Sequence, residues 1–402
     1  MACAKRILVH DYSGHPFQVE LSRSLARRGH DVLHLHSASF QTPKGDLVAK
    51  PDDPVGLRIT GLSLAEPFHK DSFLKRRSQE IAFGGLVAHE IRSFRPDIVL
   101  SANAPLDTQA VIYKASRGCG ARLVFWLQDI YSDAIRRIVP KAFPLIGAAV
   151  ARRYHRLEFG LLRSSDHIVA ITDDFVPMLR RNGITADRIS VIENWAPLGE
   201  MALTPSHAPE AETKADCVRA VYAGTLGYKH NPAILLAAAK ALPVVIEVFS
   251  EGTVAERLAR KAAAERVSNL LVRPWVPFAD LPAVLGGADV LIAMIEEDAG
   301  MFSVPSKVLT YFACGRPVLA AVPRGNLARR LVEREHAGLG SDPGNDAQFI
   351  GNLRRLAEDA GLRETLGANG RAYAQAHFAI EPITDRFEAI FDGFQQTEKQ
   401  AI

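Results

Sequence analysis

Two lysines stand in settings suited to binding an anion. Lys307 closes the run Glu296-Glu297-Asp298-Ala-Gly-Met-Phe-Ser303-Val-Pro305-Ser306-Lys307, and Thr310 follows one helical turn later. The run leaves an apolar strand, turns through an acidic loop and enters a helix with Pro305 in its first turn, with Gly315 and Pro317 closing that helix. A helix beginning at the carboxyl end of a parallel strand offers unpaired N–H groups and a partial positive charge. The Ser306 hydroxyl and Lys307 ammonium add to that anion site. An ordinary capped helix with a solvated Ser and Lys accounts for the same residues.

Lys229 belongs to a second such loop, Tyr222-Ala-Gly224-Thr225-Leu-Gly227-Tyr-Lys229-His-Asn231-Pro232, read as strand, glycine turn and helix from about Asn231. Its two glycines allow close backbone approach. Lysines converging from two loops suit a diphosphate leaving group, whose charge must be neutralised as the bond to phosphate breaks. A tight turn with one exposed lysine is the plainer account of either loop taken singly. A third loop, Asp11-Tyr-Ser-Gly14-His15-Pro16, places Gly14 at another strand-to-helix turn. It lacks the Gly-x-Gly-x-x-Gly spacing, which disfavours a dinucleotide cofactor. A fourth stretch, Phe125-Trp-Leu-Gln128-Asp129-Ile-Tyr131-Ser-Asp133, ends the fourth apparent strand with polar residues. Asp129 and Asp133 are spaced to share a helix face, but no histidine completes a metal pair, so Asp129 reads as a substrate-facing carboxylate or a helix cap. No metal and no cofactor is expected.

These loops need strands and helices to hold them. Short apolar runs recur at 6–9, 32–36, 97–101, 123–126, 167–171 and 189–192, then at 220–223, 244–249, 270–272, 289–294 and 317–321. Consecutive apolar positions alternating with helix-length segments indicate two doubly wound α/β sheets facing each other across a cleft. The Pro-, Ala- and Glu-rich stretch 198–217 reads as the linker. The expected domains are 1–198, 199–380, and a C-terminal helical segment 381–402 (amphipathic over Ile383–Phe394, after Glu381-Pro382) returning to the first domain.

Composition bounds the partners. The chain has 402 residues, 48% hydrophobic and 23% charged, with a net charge of +3. That is globular, long enough for two cores, and too weakly basic for a nucleic-acid partner. Cys3, Cys119, Cys217 and Cys314 are scattered without metal or disulfide spacing, which points to a reducing cytoplasm. No run approaches a membrane span. The segment 136–163, however, carries seven Arg or Lys against the single acid Glu158, with apolar residues interleaved. It reads either as an interfacial anchor on anionic membrane or as a surface helix half-buried on its own domain. His69-Lys70 and Lys75-Arg76-Arg77 would extend the basic surface.

In this order the motifs resemble those of GT-B glycosyltransferases of retaining family 4, also called group 1. The resemblance runs from Arg-Arg-Gly29-His30 through Ser165-Asp166-His-Ile-Val-Ala-Ile-Thr172 and Glu193-Asn194-Trp195 to Ala223-Gly-Thr-Leu-Gly, Pro274-Trp275-Val276-Pro277 and Val304-Pro-Ser-Lys307. Its nearest branch acts in exopolysaccharide, O-antigen and colanic-acid synthesis. The resemblance implies that Lys229, Ser303, Ser306 and Lys307 meet the donor diphosphate, that Trp275 and Val276 border the base, and that Gly14 faces the donor from the other lobe. Asp129 falls where relatives place a catalytic or sugar-contacting His or Asp. Thr310 and Phe302 replace the glutamate pair many members carry, and Thr225 replaces an arginine; Glu296, Glu297 or Asp298 would then take over a donor-sugar contact. The implied reaction moves a sugar from a nucleotide sugar, UDP favoured over GDP, with retention onto a lipid-linked or glycan acceptor, in the cytoplasm, and at the inner face of the plasma membrane if the basic segment is an anchor. A nucleotide-sugar epimerase and a non-catalytic nucleotide-binding member are the alternatives.

Overall fold

The computed structural model describes residues 4–39, 45–66, 73–142, 146–201, 217–227, 230–297 and 306–400. Its contacts divide the chain into one unit of residues 1–194 and 380–402 and a second of residues 195–379. Most of the sequence-proposed linker, 202–216, lies outside the described residues.

The first unit is built on seven parallel strands. These are β1 (Arg6–Asp11), β2 (Asp31–Ser37), β3 (Leu57–Leu62), β4 (Ile98–Ala102), β5 (Arg122–Leu127), β6 (His167–Ala170) and β7 (Ile189–Val191), in the order β3-β2-β1-β4-β5-β6-β7. Every residue of β1 after Arg6 is buried, because helices cover both sheet faces. The helices are α1 (Pro16–Arg27), α2 (Phe73–Phe94), α3 (Leu106–Gly118), α4 (Tyr131–Ala142), α5 (Gly147–Ser164) and α6 (Val176–Arg181). Strand order reverses between β1 and β4, so the loops after these strands open at a switch point, where doubly wound folds bind ligands.

The second unit repeats the plan with six strands. They are β8 (Arg219–Ala223), β9 (Val245–Phe249), β10 (Leu270–Arg273), β11 (Val290–Met294), β12 (Val318–Ala321) and β13 (Gly338–Ser341), ordered β10-β9-β8-β11-β12-β13. Its helices are α7 (Ala233–Ala241), α8 (Thr253–Ala264), α9 (Leu281–Gly286), α10 (Lys307–Ala313), α11 (Leu327–Arg334), α12 (Asp346–Glu358) and α13 (Ala360–His377). The switch point here lies between β8 and β11. A last helix, α14 (Ile380–Gln400), belongs to the first unit. Its Phe387 ring meets Trp126 at 5.0 Å, and Trp126 meets Phe17 of α1 at 5.6 Å. Thr384 donates to Ser24 at 2.8 Å, and Arg28 reaches Glu381, Asp385 and Glu388 of α14.

Three expectations from sequence are corrected. Both β3 and β13 escaped notice because they are edge strands with half-exposed patterns and glycines at Gly61, Gly338 and Gly340, not continuous apolar runs. The strand before Asp129 is therefore the fifth, not the fourth. Helix α14 starts at Ile380 and carries Glu381-Pro382 in its first turn, where proline's missing N–H has no intrahelical partner to lose.

Candidate functional site

The switch point of the second unit gathers the anion-binding candidates. Gly224 leaves β8 with φ of 133°, a backbone that side-chain-bearing residues rarely adopt, and its N–H donates to the Phe249 carbonyl at 3.0 Å. The turn is then tied down twice more: Leu226 N–H donates to Ser250 Oγ at 3.0 Å and Gly227 N–H to His230 Nδ1 at 3.0 Å. Lys307 opens α10 and brings its ammonium to this turn. A methyl group placed on Gly224 would sit 3.1 Å from Lys307 Nζ. The same nitrogen lies 3.7 Å from the centre of the Tyr222 ring.

Tyrosines of the two elements lock this arrangement. Tyr222 Oη donates to the Thr225 carbonyl at 2.9 Å. Tyr311, one turn after Lys307, donates to the Ile292 carbonyl of β11 at 3.1 Å and accepts from Ala223 N–H at 3.4 Å. Burial pushes both phenols well above their ordinary range, so they remain protonated donors. Thr225 and Ser306 are exposed, and Thr310 is half-buried three residues beyond Lys307. Glu297 is exposed in the loop after β11. Trp275 and Val276 follow β10, two strands from β8, and Trp275 N–H donates to Glu251 at 3.1 Å. The structure thus brings Gly224, Thr225 and Lys307 together. Lys229, Ser303, Pro305 and Asp298 lie outside the described residues.

The first unit offers a carboxylate and a neutral histidine at its own switch point. The buried carboxylate of Asp11 folds the loop after β1 by accepting from Ser13 N–H at 3.1 Å and from His15 N–H. Burial raises its pKa, opposed by His15 and by these N–H groups. Gly14, with φ of 77°, sits inside that turn. On the opposite sheet face His10 meets Ser101 Oγ at 3.1 Å, and Ser101 donates to Gln109 at 2.7 Å. Burial lowers the His10 pKa to about 3, so the ring is neutral; with Ser101 donating onward, its Nδ1 carries the proton.

Asp129 lies half-buried in the loop between β5 and α4. Because α4 begins only at Tyr131, Asp129 and Asp133 share no helix face; Asp133 pairs instead with Arg136 at 3.3 Å. The loop is held by Glu158, a fully buried carboxylate of α5. It accepts from Tyr131 N–H and Ser132 N–H, each at 2.9 Å. Burial lifts Glu158 to about 7, partly countered by those two donors. Tyr131 Oη in turn donates to the Asn103 carbonyl at 3.2 Å, which links the loops after β4 and β5.

Sequence reasoning missed Asp11, Tyr222, Tyr311 and Glu158 as supports. Asp11 was findable, since Asp at the end of a strand and three residues before a turn glycine, Gly14, suits a side-chain-to-backbone turn. Glu158 carried only the signal of being one acid among many bases, and the tyrosines read as core. Along α5 of the basic segment, Tyr154, Phe159, Leu161 and Leu162 are buried in their own unit, while Arg152, Arg153, Arg156 and Arg163 point outward. A cavity of about 710 Å³ lined by Arg122, His167, Arg188 and Arg386 lies at the amino ends of β5 and β6, away from the switch point. Among the described residues no group of three or more His, Cys, Asp or Glu is arranged for a metal ion, and no helix is long and apolar enough to cross a membrane.

Comparison with known proteins agrees with this architecture. Residues 15–195 match the glycosyl transferase 4-like domain, and residues 218–359 match glycosyl transferases group 1. A probable glycosyltransferase of Pseudomonas aeruginosa, WbjE, is 22% identical over 80% of this chain and 81% of its own. The sucrose-phosphate synthase of Thermosynechococcus elongatus superposes with a TM-score of 0.76 at 16% identity, covering 98% of this chain and 100% of that one. Anabaena Alr3699/HepE, solved with UDP and glucose, gives a TM-score of 0.69 at 17% identity, covering 96% and 99%. With a parallel doubly wound sheet in each unit and a glycosyltransferase domain matched to each half, the chain belongs to the GT-B glycosyltransferases described by these two families.

Proposed function

We propose that the chain is a retaining sugar transferase that takes a nucleoside diphosphate sugar, a UDP-sugar in first place, and delivers the sugar to a lipid-linked or glycan acceptor in bacterial surface polysaccharide synthesis. The observation that carries this reading is the Lys307 ammonium held against the glycine turn of β8, at the switch point of the second unit. Bare backbone at Gly224 lets a diphosphate approach, and Lys307 supplies the charge that the departing phosphate needs. Lys229, two residues after Gly227 in the sequence, would add a second cation. The UDP and glucose held by HepE support a uridine donor.

Retention follows if the freed phosphate oxygen takes the acceptor proton on the face it leaves. No strong protein base is then required, and Asp129 orients the sugar or the acceptor hydroxyl. The acceptor is recognised by the first unit, at the loops after β1, β4 and β5. The enzyme works in the cytoplasm at the inner face of the plasma membrane. Outward Arg152, Arg153 and Arg156 supply attraction to anionic headgroups of about 1 kcal/mol each.

A thermal-shift screen of UDP, GDP and their sugars tests the donor, since a ligand of the folded state raises its apparent stability. A rise with UDP-sugars, followed by an NMR product of unchanged anomeric configuration, is the expected result. Inverted product defeats the retaining mechanism. Conversion of the donor alone into another nucleotide sugar defeats the transferase in favour of an epimerase.

A further inference from the structure

A lysine side chain loses considerable rotamer freedom when it is fixed at a ligand, so a site that relies on one gains by holding it beforehand. The face of an aromatic ring attracts an ammonium through its quadrupole and brings no counter-charge. Tyr222 occupies that position. It is fully buried on β8, immediately before Ala223-Gly224, and its ring centre lies 3.7 Å from Lys307 Nζ. The other end of the same side chain donates to the Thr225 carbonyl at 2.9 Å and so fixes the glycine turn. One residue thereby joins the cation from α10 to the backbone that a phosphate would approach.

We propose that Tyr222 is a positioning residue for phosphate recognition, holding the Lys307 ammonium over the Gly224 turn through its ring while its hydroxyl fixes that turn. This inference rests on the donor reading above. The residue acts on the ligand's phosphates through Lys307 and makes no demand on the base. The side chain next to the glycine turn therefore sets affinity for the charged part of the donor, separately from affinity for the nucleoside.

Calorimetric titration of the full chain with UDP and with uridine tests this in wild type, Tyr222→Phe and Tyr222→Leu. Loss of the cation–ring contact is expected to weaken UDP binding roughly three- to twenty-fold in Tyr222→Leu while uridine affinity stays unchanged. Tyr222→Phe keeps the ring but loses the bond to the Thr225 carbonyl, so its UDP affinity is expected to fall between those of wild type and Tyr222→Leu. Should the leucine variant not fold, Tyr222→Met fills similar space without a ring and is read in the same way. Equal UDP affinity in wild type and in the ring-less variants overturns the proposal, as does an equal proportional loss for UDP and uridine, which marks a collapsed pocket. Wild type that binds neither UDP nor GDP overturns the donor reading itself, and this inference with it.

Discussion

Lys307→Met isolates the charge on which the donor reading depends. The lysine's Nζ lies 3.7 Å from the Tyr222 ring centre and 3.1 Å from the position a Gly224 methyl would take. Methionine has nearly the same length and a sulfur that packs well against a ring, so the change in folding stability should stay below about 1 kcal/mol. What disappears is the ammonium. Hydrogen bonds to charged groups contribute about 1.5–3 kcal/mol, which corresponds to roughly a ten- to 150-fold weaker Kd for UDP. Uridine, lacking phosphate, should bind both proteins alike. Turnover should fall further than binding, because charge on the leaving diphosphate grows as the bond breaks; roughly 100- to 1,000-fold in kcat is the scale for losing one such stabilising group. Calorimetry supplies the affinities, and released UDP supplies the rate. The reasoning fails if Lys307→Met binds UDP within threefold of a wild type that binds it, or if raised salt weakens both proteins equally, since only the wild type has this charge to screen.

Other expectations follow from the same geometry. Gly224→Ala should destabilise the second unit by about 1–3 kcal/mol, because φ of 133° is strained for alanine, and should also weaken UDP by displacing Lys307; an unchanged Tm would contradict it. Glu158 titrates near 7 when folded against the usual 4.5 when unfolded, so the native state binds more protons in that window and loses stability as pH rises through it. Wild type compared with Glu158→Gln should therefore show a stability difference that changes by roughly 3 kcal/mol between those pH values, measured by denaturant titration; a flat difference removes the assigned burial cost. Arg28→Ala breaks contacts to Glu381, Asp385 and Glu388 and should cost about 1–3 kcal/mol by loosening α14. Unaltered hydrogen-exchange protection in α14 would show those pairs to be too solvated to matter.

Much of this protein is written in local pattern. The apolar runs at β1, β2, β4, β5, β8, β9, β11 and β12 are buried on both faces, and such strands announce themselves by composition alone. Gly224, Gly315 and Gly14 were legible because positive φ at a turn demands glycine. Edge strands β3 and β13 were not, since half of each faces outward and the pattern dissolves. Nor was the extent of α14, where a proline in the first helical turn resembles a break.

Chemistry-bearing residue types, then, were visible in the chain itself: a lysine in a glycine turn, another at a helix start, an aspartate after a strand, a cluster of arginines. Which of them act together was decided by tertiary structure. Lys307 and Tyr222 are far apart in sequence, and only the pairing of β8 with β11 sets one above the other. Glu158 sits among bases in the chain, yet the packing of α5 beneath α4 turns it into the support of the Asp129 loop. The same packing draws Phe159, Leu161 and Leu162 inward and leaves Arg152, Arg153, Arg156 and Arg163 facing out. Local pattern records what each residue prefers, whereas contact and burial depend on neighbours that the fold brings from elsewhere in the chain.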